Sequence, residues 1–279
     1  MSGRLRPANV GGPFAFGDDF RRFWALTWTL ATTDFKVRFF GSALGYLWSL
    51  VRPLLLFGVL FIVFTKVIRF GGGVEHYPVY LLFSLVLFFY FAETAAGGVV
   101  SLVNRENLLR KMRFPRMVIP LSVGLTALFN LGMNLIAVLV FALASGVYPR
   151  WSWLQVPILV AVLTTLAVGL AMLLSALYVR YRDISPIWEV VQQLLFYGSP
   201  ILYVLSFVPD NFEKAMLANP LAVVLTQMRH AVIDPEAPSV FEAIGPNVRL
   251  LIPMGIVVGV FLLGLWVFKR ETPRIAENL

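Results

Sequence analysis

"SLVNRENLLRKMRFPRMVIPLS", residues 101–122, joins two strongly apolar stretches. It holds five cations, Arg105, Arg110, Lys111, Arg113 and Arg116, and one acid, Glu106, with apolar residues between them. A connector this basic fits two readings. It is a topology anchor held on one side of a membrane, or a surface on which another protein pushes.

The flanks decide the fold class. Of the 279 residues, 59% are hydrophobic and 14% charged, against about 25% charged in a typical soluble domain. A bilayer-crossing helix needs roughly 20 mostly apolar residues. Six stretches meet that requirement: 44–67, 77–102, 118–144, 156–178, 187–208 and 250–268. The expected fold is an all-α membrane protein, a single transmembrane domain over 1–279 with six transmembrane helices.

Lysine and arginine set orientation. The arm up to Arg52, residues 103–117, residues 179–186 and the tail together hold 17 of the 23 cations, and the other side holds 6. Both termini are therefore expected in the cytoplasm. This positional bias also accounts for the net charge of +8, so nucleic acid is not an expected partner. Residues 1–20 hold no apolar signal-peptide core, so the first span is expected to direct its own insertion.

Two segments are expected to lie along the membrane instead of crossing it. In 16–40, Phe20, Phe23, Trp24, Leu26, Thr27 and Leu30 recur at helical spacing among charges. Asp18 or Asp19 offers an N-cap, and Gly41 follows the end. This is an amphipathic N-terminal interface helix, read as a membrane anchor alone or as an anchor that also docks a partner. Residues 209–247 form an outer re-entrant region. There Asn219 is a plausible cap with Pro220 at the first helical position, and two short helices are expected.

The connector itself reads as a short helix over 104–114. Asn104 caps it, Glu106 and Arg110 pair at i,i+4, and Leu108, Leu109 and Met112 make an apolar face. Pro115 stops it and holds Phe114 extended. A bare topology signal needs the cations and none of the rest.

Catalytic signatures are missing. There is no phosphate loop of the G-x-x-x-x-G-K-[ST] type, no H-E-x-x-H and no G-x-S-x-G. With no cysteine and two histidines, a thiolate zinc site is excluded and no metal site is expected. Glu93 lies well inside a span, and no spanning stretch offers it a matching cation. It is read as paired within the bundle or as marking a pathway. Arg52 is read as snorkelling to the inner head groups or as contacting a lipid head group. Gly255 and Gly259 offer a helix-packing or dimer seam. The chain reads as a pathway without an engine.

Four stretches resemble one family, the ABC-2 permeases that export polysaccharides, teichoic acids or other lipid-linked glycans. They are "DFKVRFFGSALGYLWSLVRPLL" (34–55), "NRENLLRKMRFPRMVIPLS" (104–122), "YVRYRDI" (178–184), and "SPILY" with "NPLAVVLTQMRHAVI" (199–203 and 219–233). The resemblance implies a homodimer in the bacterial cytoplasmic membrane, with two copies of a separate ATPase subunit beneath it. ATP and Mg would sit on that partner, leaving this chain non-catalytic and without a cofactor. The connector would be the coupling helix, with Asn104, Arg105, Glu106, Leu108, Leu109, Arg110, Lys111, Met112, Arg113 and Phe114 at the ATPase. The substrate would be a glycan on polyprenyl diphosphate, such as O-antigen, teichoic acid or galactan. Its head group would enter past Arg38, Gly41, Leu44, Gly45, Tyr46 and Arg52. The sugar chain would slide along Phe57, Phe61, Phe89, Tyr90, Phe196, Tyr197 and Tyr203. An ABC-2 exporter of a drug or small lipid is the alternative. A glycan-modifying membrane enzyme is disfavoured by the lack of clustered acids, and a secondary carrier by the lack of intramembrane polar pairs.

Overall fold

The computed structural model describes residues 20–39, 45, 47–68, 74–111, 114–245 and 247–278. These residues form helices and connecting turns, with no strand among them. The principal helices are α1 (Phe20–Phe39), α2 (Leu47–Ile62, continued by a π turn Val63–Val67), α3 (Tyr77–Asn104), α4 (Glu106–Lys111), α5 (Val118–Ala144) and α6 (Val156–Arg180). They continue as α7 (Ile184–Tyr197), α8 (Asp210–Met216), α9 (Pro220–Met228), α10 (Val240–Ile244) and α11 (Leu251–Asn278). Among the described residues, five helical stretches are long and apolar enough to cross a membrane: 47–67, 77–104, 118–144, 151–180 and 251–271.

The fifth expected span, 187–208, is not one helix. Residues 187–208 divide into α7, of 14 residues, and an irregular stretch that follows it. Fourteen residues rise roughly 21 Å, short of a hydrocarbon core of about 30 Å. The break falls at Gly198-Ser199-Pro200, where the Gly198 N–H closes the last turn on the Leu194 carbonyl at 2.8 Å. Proline has no N–H with which to continue.

The break still takes the chain from one end of the helix bundle to the other. α3 and α6 run parallel, because Tyr90 meets Thr164 through their hydroxyls while Gly98 abuts Ala171. α7 leaves from the end of α6, beside the end of α3. Residues 200–203 reach the opposite end, where Tyr77 and Tyr80 begin α3. The Tyr77 hydroxyl donates to the Leu202 carbonyl at 2.7 Å. The Tyr80 hydroxyl donates to the Pro200 carbonyl, and the Tyr203 carbonyl lies 2.9 Å away. Irregular backbone at this depth is tolerated where protein satisfies its polar groups, and here two tyrosines do so.

α3 is the hub, buried along most of its length against α5, α6 and α7. It runs antiparallel to α5, with Glu93 beside Asn130 and Gly97 against Val123. α6 and α11 cross closely where Gly169 meets Phe261 and Gly264, and a side chain at either glycine would strike backbone. The expected seam at Gly255 and Gly259 is not used inside the protomer, since no described neighbour lies within 4 Å of a Cβ built at either. A second apolar cluster, with Phe23, Leu102, Met117, Met172, Val179 and Phe268, ties α1, α3, α5, α6 and α11 together at the α4 end.

On the opposite face, residues 205–250 fold into three short α-helices and connecting turns, one helix more than expected. Asn219 caps α9, its Oδ1 accepting from the Leu221 N–H at 3.0 Å. Ser239 and Glu242 form a capping box on α10. Hydrogen bonds from Ser239 hold the Glu242 carboxyl below the usual carboxylate range. Arg229 and Asp234 pair at 3.0 Å and are 12% and 9% exposed. The Arg229 guanidinium lies 5.8 Å from the centre of the Tyr80 ring.

Candidate functional site

A cavity of about 490 Å³ opens between the end of α1, the start of α2, and helices α3, α5 and α7. Its charged lining is Arg38, Arg52 and Glu93, and its amide lining is Asn130, Asn134 and Gln192. Trp48, Pro53, Phe89, Tyr90 and Leu131 supply apolar wall. A volume of this order suits a small organic head group.

The centre of the cavity is an ion pair that joins α1 to α3. Arg38 bonds the Glu93 carboxylate. Asn130 Nδ2 donates to the same carboxylate oxygen at 2.7 Å. Both ionic side chains remain partly open, Arg38 at 50% and Glu93 at 29%. Of the two readings of Glu93, pairing within the bundle is the one the structure holds, and no spanning stretch supplies the cation. The cation comes from the helix that does not span, and a search restricted to spanning stretches passes over it. Asn130 and Asn134 continue an i,i+4 row begun by Ser122 and Thr126 on α5, a local signal that places all four on one face.

A second pair lies nearby on α1. Arg105 bonds Asp34 and donates to Ser122 Oγ at 2.9 Å. Asp34 and Arg38 stand one turn apart on α1, so one helix face delivers an acid to the connector and a base to the cavity. Thr126 on α5 adds a hydrogen bond to the Ala31 carbonyl at 3.2 Å. α1 is thus bolted to the bundle by polar contacts as well as by Phe23 and Ala31.

The connector is anchored on one side and open on the other. Asn104 is the last residue of α3 and not a cap, because α3 continues two residues past the expected end at 102. Glu106 and Arg110 pair at 2.7 Å. Leu109 and Phe114 pack on the cluster around Phe23 and Phe268, and Leu108 is half-buried. Asn107, Arg110 and Lys111 are exposed. Met112 and Arg113 lie outside the described residues.

The candidate head-group residues divide. Arg38, Gly45 and Arg52 line the cavity, and Gly45 takes a positive φ of 48°, which suits glycine. The Gly45 carbonyl accepts from Trp48 N–H at 3.2 Å to start α2. Gly41, Leu44 and Tyr46 lie outside the described residues, as do Asp18 and Asp19. Of the candidate path aromatics, Phe89 and Tyr90 share the cavity wall. Phe57 and Phe61 stack on each other at 5.7 Å, with Phe57 edge-on to Phe141. Phe196 sits edge-on to Phe88 at 5.0 Å. The Tyr203 hydroxyl donates to the Tyr197 carbonyl at 3.0 Å, closing the break after α7. Phe57, Phe61, Phe89, Tyr90, Phe196 and Tyr203 all belong to or pack against the main apolar core.

What the arrangement offers chemically is anion recognition beside an apolar wall. Arginine presents a planar fork suited to phosphate, and Arg52 makes no ion pair with a described residue. No cluster of three or more histidine, aspartate or glutamate side chains suited to a metal occurs among the described residues.

Comparison with known proteins gives the family. An O-antigen export system permease protein RfbA from Myxococcus xanthus is 32% identical over 200 residues, covering 71% of this chain and 76% of the relative. A protein of the same name from Klebsiella pneumoniae is 28% identical over 251 residues, covering 90% and 93%. The polysialic acid transport protein KpsM of Escherichia coli is 22% identical over 202 residues, covering 72% and 78%. The family model described as ABC-2 type transporter matches residues 25–233, a stretch that runs from α1 through α9, and the chain belongs to that family.

Proposed function

We propose that this chain is the permease subunit of an ABC exporter that moves a lipid-linked polysaccharide across the bacterial cytoplasmic membrane. The cargo is a glycan on polyprenyl diphosphate, of the kind represented by O-antigen, teichoic acid or galactan. The observation that carries the reading is the cavity. Two arginines, Arg38 and Arg52, meet an apolar wall in a chain whose relatives are named for O-antigen export and polysialic acid transport. A phosphate-rich head on a lipid tail presents the matching pair of surfaces.

In this reading the chain crosses six times. α7 and the break after it make the fifth crossing, and both termini face the cytoplasm. The cation bias supports that orientation. Two copies form the transport unit. Glu189 and Gln193 on α7 are exposed in the protomer, and such groups facing hydrocarbon are costly. A second copy, or a wet path between two copies, relieves that cost. Two copies of a separate ATPase bind below, carry ATP and Mg, and push on α4 and α1. The exposed Arg110 and Lys111 offer the contact, while Arg105, Leu109 and Phe114 transmit the push into α1, α3 and α5.

The purified chain alone is expected to show no ATP hydrolysis. Co-expressed with its ATPase, the double substitution Arg110→Glu and Lys111→Glu is expected to lower export at least about tenfold, a factor worth roughly 1.4 kcal/mol of coupling, with unchanged thermal unfolding. Export at the parental rate would return residues 104–114 to the status of a topology anchor.

A further inference from the structure

Arg38, the first candidate for a phosphate ligand, is already occupied by Glu93. A carboxylate placed on an anion site is a competitor for the anion. We propose that Glu93 is a charge filter. It covers Arg38 and so reserves the cavity for head groups with two adjacent phosphates, turning away the singly charged phospholipids of the surrounding membrane. The inference rests on the diphosphate-lipid reading above.

Three features support a displaceable lid over Arg38 in preference to a permanent structural pair. Arg38 is half exposed and Glu93 more than a quarter exposed, both toward the same cavity. An open pair of this kind holds weakly. Asn130 Nδ2 grips the Glu93 carboxylate independently at 2.7 Å, so the acid keeps a partner when Arg38 leaves. Arg52 lines the same space, so an incoming anion meets two guanidinium groups, only one of which is covered.

Charge then sets the selectivity. The cavity lining carries two positive charges and one negative. A single phosphate that takes Arg38 trades one ion pair for another and then faces the displaced carboxylate, a like-charge contact. A diphosphate engages Arg38 and Arg52 together, one phosphate on each, and this second pair offsets the repulsion. Because α1 is held to α3 through Arg38, displacement also frees the end of α1. The filter therefore reports occupancy to one of the two helices on which the proposed ATPase pushes.

The test uses the full chain in nanodiscs and two probes, geranylgeranyl diphosphate and a short-chain phosphatidylglycerol. The parent is expected to prefer the diphosphate by at least about tenfold. Glu93→Gln, which retains an oxygen for Asn130, is expected to bind phosphatidylglycerol about tenfold more tightly and to lose most of that preference. Arg38→Gln is expected to weaken diphosphate binding. A parent with no preference, or diphosphate binding untouched by Arg38→Gln and Arg52→Gln, would refute the diphosphate reading itself. A parent with the preference and a Glu93→Gln variant that retains it would overturn the filter alone.

Should Glu93→Gln fail to fold, the parental pair is still testable. The chain has no cysteine, so Val37→Cys on α1 and Ile136→Cys on α5, both exposed, accept spin labels selectively. The distance between them is expected to change or broaden with the diphosphate and to stay constant with phosphatidylglycerol. An unchanged distance with bound diphosphate would contradict displacement.

Discussion

Two arginine–carboxylate pairs of the same chemistry sit at opposite ends of this bundle and do different work. Arg229–Asp234, in the turns that follow α9, is 12% and 9% exposed. It lies under the Tyr80 ring, and the Asp234 carboxylate also accepts from the Glu236 and Ala237 N–H groups. Arg38–Glu93 is 50% and 29% exposed and faces a cavity. A closed pair with its lone pairs filled fixes a structure, because breaking it strands a buried charge. An open pair holds less and is free to exchange partners. The molecule therefore has a locked face and a responsive one.

Breaking the locked face is expected to have the largest effect on stability. Asp234→Ala leaves Arg229 buried and unpaired, at a cost of about 3–5 kcal/mol, visible as a large fall in unfolding temperature in detergent. A fall no greater than that of an exposed substitution would remove the contrast. Next is Tyr80→Phe, which strands the Pro200 and Tyr203 carbonyls at about 1–3 kcal/mol and is expected to raise proteolysis between 198 and 208. Smallest is Glu93→Gln, expected to cost under about 1 kcal/mol despite its effect on ligand choice. A destabilisation matching that of Asp234→Ala would make Arg38–Glu93 a structural lock as well.

The same contrast shows what the sequence could carry. Span 118–144 is read directly, with the observed helix at Val118–Ala144, because composition and turn signals agree at both ends. Hydropathy does not separate core from periphery. The most apolar 18-residue windows of the 47–67 and 77–104 stretches have mean hydropathies of 2.2 and 1.8, yet 6% and 83% of those windows are buried. Lipid tails are as apolar as leucine, so both environments select the same residues. The break after α7 was written as Gly198-Ser199-Pro200, but apolar residues on both sides hide it in a window average. Its stabilisers, Tyr77 and Tyr80, lie more than 100 residues earlier. Arg38 and Glu93 are 55 residues apart, and local spacing rules do not reach that far. Glu106–Arg110, four residues apart, was legible for the opposite reason.

As proposed, this chain forms a path for a diphosphate-linked glycan and takes its energy from a partner. The most direct measurement places the chain and its ATPase in sealed vesicles with a polyprenyl-diphosphate glycan supplied on the ATPase side. Glycan reaching the opposite side is then scored with a membrane-impermeant lectin. Transfer is expected to require ATP and to be lost when the diphosphate is replaced by a neutral lipid link. Transfer at the same rate without ATP, or with the neutral link, would contradict it.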